Sequence, residues 1–349
     1  MSASRPPLRF GVMYDCREHP EGPLTTTEVY RHTIDQATQA DRLGFDHVWF
    51  TEHHFCPDGY LPAFQPLAGA ILGRTERIRI STDIALMPLY HPIRLAEELA
   101  VLDQIGDGRM EIGLGMGYVP SEFDAFGVPL VNRVSMTEEG IEILRLAWGD
   151  EAFSYHGKRY RLDDVNVFPK PVQPGGPPVW VAAMSEAGAQ RAARLGTHLL
   201  PQGQRGEVLD PWRDAVTARG GNPDEHRVGI IRSVFVSDDP ERDWPMIRDA
   251  ERYRMSIYDR FMAETPDDYG WGAGGAIPQS VIVATPEDCV TRLAEFITTF
   301  GITDLATSGL PPGVDPGVMT TNLERLADEV IPAVRDRIGS EADPAGEAR

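Results

Sequence analysis

The feature that most constrains this chain is an alternation. Short, almost wholly apolar runs are followed, again and again, by segments with helical spacing. LRFGVMY (8–14), DHVWFTEHHF (46–55), RIRISTDIALM (77–87), RMEIGLGMG (109–117), PVWVAAM (178–184), THLLP (197–201), RVGIIRSVFVS (227–237) and ITDLAT (302–307) read as strands. Helices are expected over 25–43, 62–75, 91–108, 132–149, 185–195, 239–263, 285–300 and 316–338. A helix between two strands carries the chain back to the same end of the sheet, so the sheet is parallel. Strands that are apolar at nearly every position are strands covered on both faces. Eight such units fit a closed (β/α)8 TIM barrel, whose core takes about 250 residues. The expectation for the 349 residues is one α/β barrel over 1–338, with insertions at about 118–170 and 264–280 and a flexible tail at 339–349. The rival is an open doubly wound sheet with a second domain. Short, regular spacing and the lack of a mid-chain linker favour the barrel.

Composition narrows the function classes. The chain carries 33 basic and 53 acidic residues, a formal charge of −20. Nucleic-acid binding needs clustered Lys and Arg, so a phosphate-backbone partner is disfavoured, as is an anionic membrane surface. No apolar run reaches the roughly 18–20 residues of a spanning helix. Three cysteines (Cys16, Cys56, Cys289) form no disulfide framework, and the start MSASRPPLRF has no secretory apolar segment. A cytoplasmic protein is expected.

Several strand ends carry candidate chemistry. Glu52-His53-His54 ends the second strand, and strand C-termini hold the active sites of barrels. Neighbouring strand residues face opposite ways, so His53 and His54 do not readily share a metal ion. A single histidine facing the mouth suits proton transfer, and two surface histidines are the plainer alternative. Gly113-Leu114-Gly115-Met116-Gly117 follows the fourth strand without meeting the GxGxxG dinucleotide pattern. It is either a flexible strand end or bare backbone for a flat ligand. Ser185-Glu186-Ala187-Gly188 opens a helix, as an ordinary cap or as an anion site. His91-Pro92 with Arg94 reads as a plain helix start. There is no GxSxG elbow and no phosphate loop.

Three stretches together resemble the luciferase-like monooxygenase family, the flavin-dependent (β/α)8 barrels typified by bacterial luciferase. They are LGFDHVWFTEHHF (43–55), MPLYHPIRLAEELAVLDQIGDGRMEIGLGMGY (87–118, with SEFDAFG after it) and PVWVAAMSEAGAQRAARLG (178–196). They run in the family's order and span most of residues 8–200.

The resemblance implies a site. His53 matches the histidine beside the flavin, the acid/base of the reaction. Glu52 falls with it, and Met13 lines the pocket. Asp83 and Ile84 fall where the family often has a non-proline cis peptide under the flavin ring. Gly115, Met116, Gly117 and Tyr118 match the segment along the ribityl chain and phosphate. Met184, Ser185 and Gly188 match the phosphate-binding turn. The type enzyme has an arginine where Met116 stands and an acid where Met184 stands, so the phosphate would rely on backbone amides and Ser185.

The implied activity uses FMN, reduced by a separate NAD(P)H-dependent reductase, with oxygen and a small organic substrate. A peroxyflavin would transfer one oxygen atom to that substrate. Three rivals remain: a deazaflavin-dependent dehydrogenase or reductase of the same superfamily, a non-catalytic flavin-binding barrel, and a metal-dependent barrel hydrolase. A homodimer is expected through the helices after strands 2 and 3, because 62–75 carries Ala63, Phe64, Leu67, Ala70, Ile71 and Leu72. The glycine-rich stretch 264–280, with Tyr269 and Trp271, is expected to be a lid.

Overall fold

Local signals set the helix ends. Thr25 opens α1 (Thr26–Leu43) with a reciprocal capping box, its hydroxyl accepting from the Glu28 amide while the Glu28 carboxylate accepts from the Thr25 amide. Gly44 closes the helix at φ 88°, in the left-handed region where a side chain is strained. The computed structural model describes residues 5–202, 205–265 and 280–342.

The strands are β1 (Arg9–Tyr14), β2 (His47–Phe50), β3 (Arg79–Thr82), β4 (Ile112–Gly115), β5 (Val179–Ala183), β6 (His198–Pro201), β7 (Gly229–Ile231) and β8 (Asp304–Ser308). Parallel pairing joins β1 to β2 and β8, β2 to β3, β4 to β5, β5 to β6, and β7 to β8. Single parallel bridges, Ile80 with Met110 and Leu199 with Val228, join the β3 and β4 segments and the β6 and β7 segments. The ring is closed, and the expected barrel is the observed fold. Around it lie α2 (Phe64–Leu72), α3 (Pro92–Ile105), α4 (Arg133–Trp148), α5 (Glu186–Leu195), α6 (Arg205–Ala218), α7 (Pro240–Glu264) and α8 (Pro286–Phe300).

Five local expectations change. The 77–87 run is not one strand: Arg79–Thr82 pairs with β2, and after the cis Asp83–Ile84 peptide Ala85–Leu86 pairs with Leu114–Gly115. The 227–237 run is not one strand: Gly229–Ile231 stays in the ring, while Val234–Val236 leaves it to pair with Ile282–Ala284. An apolar run reports burial and is silent on a change of partner. The 118–131 stretch is not all loop, since Pro120–Ala125 is helical. α6 occupies a stretch with no element assigned, although its buried Val208, Leu209, Trp212 and Val216 have helical spacing. The last helix, Pro316–Arg325, passes through a π-turn (Leu326–Val330) and runs to Ala342, beyond the expected end at 338. Residues 343–349 of the expected tail and 266–279 of the expected lid lie outside the described residues.

The interior fills in layers. Arg9, Arg79, Glu111, Arg227 and Asp304 form an ion-pair network at the N-terminal end of the strands. Above it Met13, Trp49, Trp180, Leu200 and Ala306 pack together. That packing closes the bottom and middle of the barrel and leaves the C-terminal rim for a site. On the outside, Phe64, Leu67, Ile71 and Leu72 of α2 are buried in the protein's own core. Ala63 of the same stretch is exposed and Ala70 half-buried.

Candidate active site

Several strand ends deliver side chains to the rim. His53 follows β2 and is buried, 6% exposed. Its Nδ1 lies 2.9 Å from Oε1 of Glu122, on the short helix after β4. The same oxygen accepts from the His54 amide at 2.7 Å. Glu122 is 1% exposed, and its Oε2 is buried with no hydrogen-bond partner among the described residues. A buried carboxylate oxygen without a donor is costly, so this position suits a donor brought by a ligand.

Aromatic rings enclose the imidazole. Phe261 of α7 stacks on it at 4.5 Å between centroids. Tyr60, Tyr118 and Tyr258 present edges at 5.0, 5.7 and 5.8 Å. The Tyr60 and Tyr258 hydroxyls are hydrogen-bonded to one another at 2.8 Å, and burial pushes both phenols up, so they stay neutral. The result is an aromatic cage in which Nδ1 is held by Glu122 and Nε2 makes no hydrogen bond among the described residues.

His54, in the bend after β2, makes different contacts. Its Nε2 lies 3.1 Å from Glu52, whose second oxygen accepts from the Tyr90 hydroxyl at 2.6 Å. Both Glu52 oxygens are therefore engaged, one within the β2 loop and one by Tyr90 just before α3. Met13 lies in the layer beneath the rim.

After β3 the Asp83–Ile84 peptide is cis. Ile84 packs so closely on β4 that a Cβ on Gly115 would lie 2.1 Å from its Cδ1, which is why residue 115 has no side chain. Gly117 has φ 67°, and Met116 and Tyr118 are half-buried beside it. The Asp83 carboxyl is buried and accepts from Gln202 Nε2, at 2.9 Å to the nearer oxygen. Burial raises it to about 7, opposed only by that amide. After β5, Met184 is half-buried and Ser185 exposed. Ser185 caps α5, its hydroxyl accepting from the Gly188 amide at 3.3 Å.

The structure thus places the expected residues at or just after the C-terminal ends of their strands, with Met13 in the layer beneath. It also adds Glu122, Tyr60, Tyr258, Phe261 and Gln202, which carry no motif of their own. Only Glu122 had a signal, in the quoted SEFDAFG segment. Among the described residues no three His, Cys, Asp or Glu side chains group so as to hold a metal ion, and no helix is long and apolar enough to cross a membrane.

Comparison with known proteins bears on this rim. The sequence model of the luciferase-like monooxygenase family matches residues 8–304. Among solved structures, the monooxygenase RslO1 from Streptomyces bottropensis superposes with a TM-score of 0.82 at 25% identity, over 93% of this chain and 99% of that one. The oxygenating constituent of 3,6-diketocamphane monooxygenase from Pseudomonas putida, in complex with FMN, gives 0.78 at 20% identity, over 93% and 98%. An F420-dependent secondary alcohol dehydrogenase, in complex with an F420–acetone adduct, gives 0.76 at 22%, over 95% and 100%. The last two identities speak for the fold alone.

Proposed function

The chain belongs to the luciferase-like monooxygenase family, and from that premise we propose that it is a flavin-dependent monooxygenase that uses reduced FMN and oxygen to oxygenate a small organic substrate. The observation that carries this reading is the buried His53–Glu122 pair inside an aromatic cage at the barrel rim.

The rim fits a flavin. Gly115, Met116, Gly117 and Tyr118, together with Asp83 and Ile84, would line its length over Met13, with Glu52 bracing the β2 loop. Ser185 and Gly188 would receive the phosphate at the start of α5, where backbone amides and the helix dipole favour an anion. Bound reduced FMN would supply the electrons that activate oxygen. His53 would give and take the proton through Nε2, while Glu122 holds Nδ1 and stabilises the imidazole when it is positive. Phe261 and the three tyrosines would keep water from that proton.

A separate NAD(P)H-dependent reductase would supply the reduced FMN. The free thiols of Cys16, Cys56 and Cys289 accord with a cytoplasmic location. A homodimer remains part of this reading. Sedimentation at micromolar concentration should show a species about twice the 38.6 kDa chain mass, and a monomer alone would remove it.

The deciding experiment supplies a generic flavin reductase, oxygen and a panel of aldehydes, ketones and amines, read by mass spectrometry for incorporated oxygen. It is paired with titrations of the protein by reduced FMN and by F420. Oxygen in a product supports the monooxygenase. Tight F420 binding with no oxygen incorporation would replace it with the dehydrogenase, and flavin binding without turnover would leave a carrier.

A further inference from the structure

The Asp83–Gln202 contact crosses the barrel. Asp83 follows β3 and Gln202 follows β6, with β4 and β5 between them in the ring. The bond therefore spans the rim directly above the layer of Met13, Trp49, Trp180 and Leu200, with Ile84 and Ala182 packed against it. Both ends are fixed by backbone bonds, Asp83 N to Phe50 O at 2.7 Å and Gln202 N to Ala183 O at 2.8 Å. Among the described residues the carboxyl has one side-chain donor, the Gln202 amide, shared between its oxygens at 2.9 and 3.3 Å.

Other charged groups around the rim are engaged elsewhere. His53 after β2 is on Glu122, and Glu52 is on His54 and Tyr90. Asp15 after β1 faces Arg17, and Arg232 after β7 stacks on Phe296. Among the described residues no ion pair joins Asp83 to any of them. A buried carboxylate with one neutral donor is poorly stabilised, and a second negative charge placed on it would be worse.

We propose that Asp83, held across the barrel by Gln202, couples cofactor binding to a proton: the rim takes up the anionic reduced ring together with one proton from solvent, and the neutral oxidised ring without one. This rests on the flavin reading above. The proton goes to the Asp83 carboxylate, so the reduced ring meets a neutral acid. The residue thereby makes affinity for the reduced ring, but not for the oxidised ring, fall as the carboxyl loses its proton, and release of the oxidised ring does not wait on a proton.

The test is binding, without turnover. Anaerobic titrations with reduced FMN and with oxidised FMN are run from about pH 6.5 to 8.5 on the parent, Asp83→Asn and Gln202→Leu. For the parent, Kd for reduced FMN should rise about tenfold per pH unit above the carboxyl's titration, while Kd for oxidised FMN changes by less than about twofold. Asp83→Asn should lose that slope. Any titration of the reduced ring itself is common to both proteins, so the difference between their slopes is the signal. Gln202→Leu removes the one donor that favours the carboxylate, so the rise should begin at higher pH. Calorimetry in two buffers of different ionisation enthalpy should show up to one proton taken up by the parent and less by Asp83→Asn. An equal slope in Asp83→Asn, or the same slope for oxidised FMN, overturns the proposal. If neither form binds at any pH, the flavin reading falls and this inference with it.

Discussion

Replacing Glu122 with Gln probes the His53 pair with least disturbance to packing. The side chain is 1% exposed, and one oxygen serves both His53 Nδ1 at 2.9 Å and the His54 amide at 2.7 Å. Glutamine keeps the volume and can keep an oxygen in that place, but it loses the charge. Hydrogen bonds to a charged group are worth about 1.5–3 kcal/mol, against about 0.5–1.5 kcal/mol for neutral ones. The loss is then about 1–2 kcal/mol whenever the imidazole is positive. At about 1.4 kcal/mol per tenfold, the rate should fall about 5- to 30-fold. His53→Ala should cost about a hundredfold or more, as loss of a general acid/base does. Because Glu122 acts through His53, the double variant should be no slower than His53→Ala alone. The assay is the initial rate of product-coupled oxygen uptake, with FMN kept reduced by a generic reductase and folding checked by circular dichroism. A Glu122→Gln variant within twofold of the parent, or fully additive losses in the double variant, would refute the pairing as a functional unit.

Two further predictions address the phosphate site and the floor of the barrel. Ser185→Asp retains a capping side chain, so stability should change little. Its charge should weaken FMN binding far more than riboflavin binding, and equal weakening of both by fluorescence titration would place the phosphate elsewhere. Glu111→Gln at the barrel floor removes the charge that faces Arg9 and Arg79 and accepts from Trp180 Nε1 at 2.8 Å, so unfolding in denaturant should be easier by about 3–5 kcal/mol at neutral pH. Burial opposes ionisation of Glu111, but Arg9 and Arg79 outweigh it and hold the carboxyl well below its usual range. A folded-state value below the unfolded one gives stability that is present above about pH 4.3 and lost as pH falls. The gap between parent and Glu111→Gln should be constant near neutrality and shrink in acid, and a gap that widens in acid would contradict this.

The sequence by itself determined the eight-strand alternation, the helix that opens at Ser185, and which residues stand at most strand ends. These are local properties: period, cap chemistry and glycine placement each act within a few residues. They sufficed to put His53, Gly115 and Ser185 at strand ends once the alternation was read as a closed barrel, whereas Asp83 fell inside the expected 77–87 strand and was picked out by the family resemblance alone. Tertiary structure alone decided what those residues touch. Glu122 reaches His53 across 69 positions of chain, Phe261 and Tyr258 come from α7, and Gln202 meets Asp83 across two intervening strands. Phe64, Leu67, Ile71 and Leu72 of 62–75 pack in the protein's own core for the same reason. Apolar spacing reports that a residue is buried, and only closure of the ring decides against what.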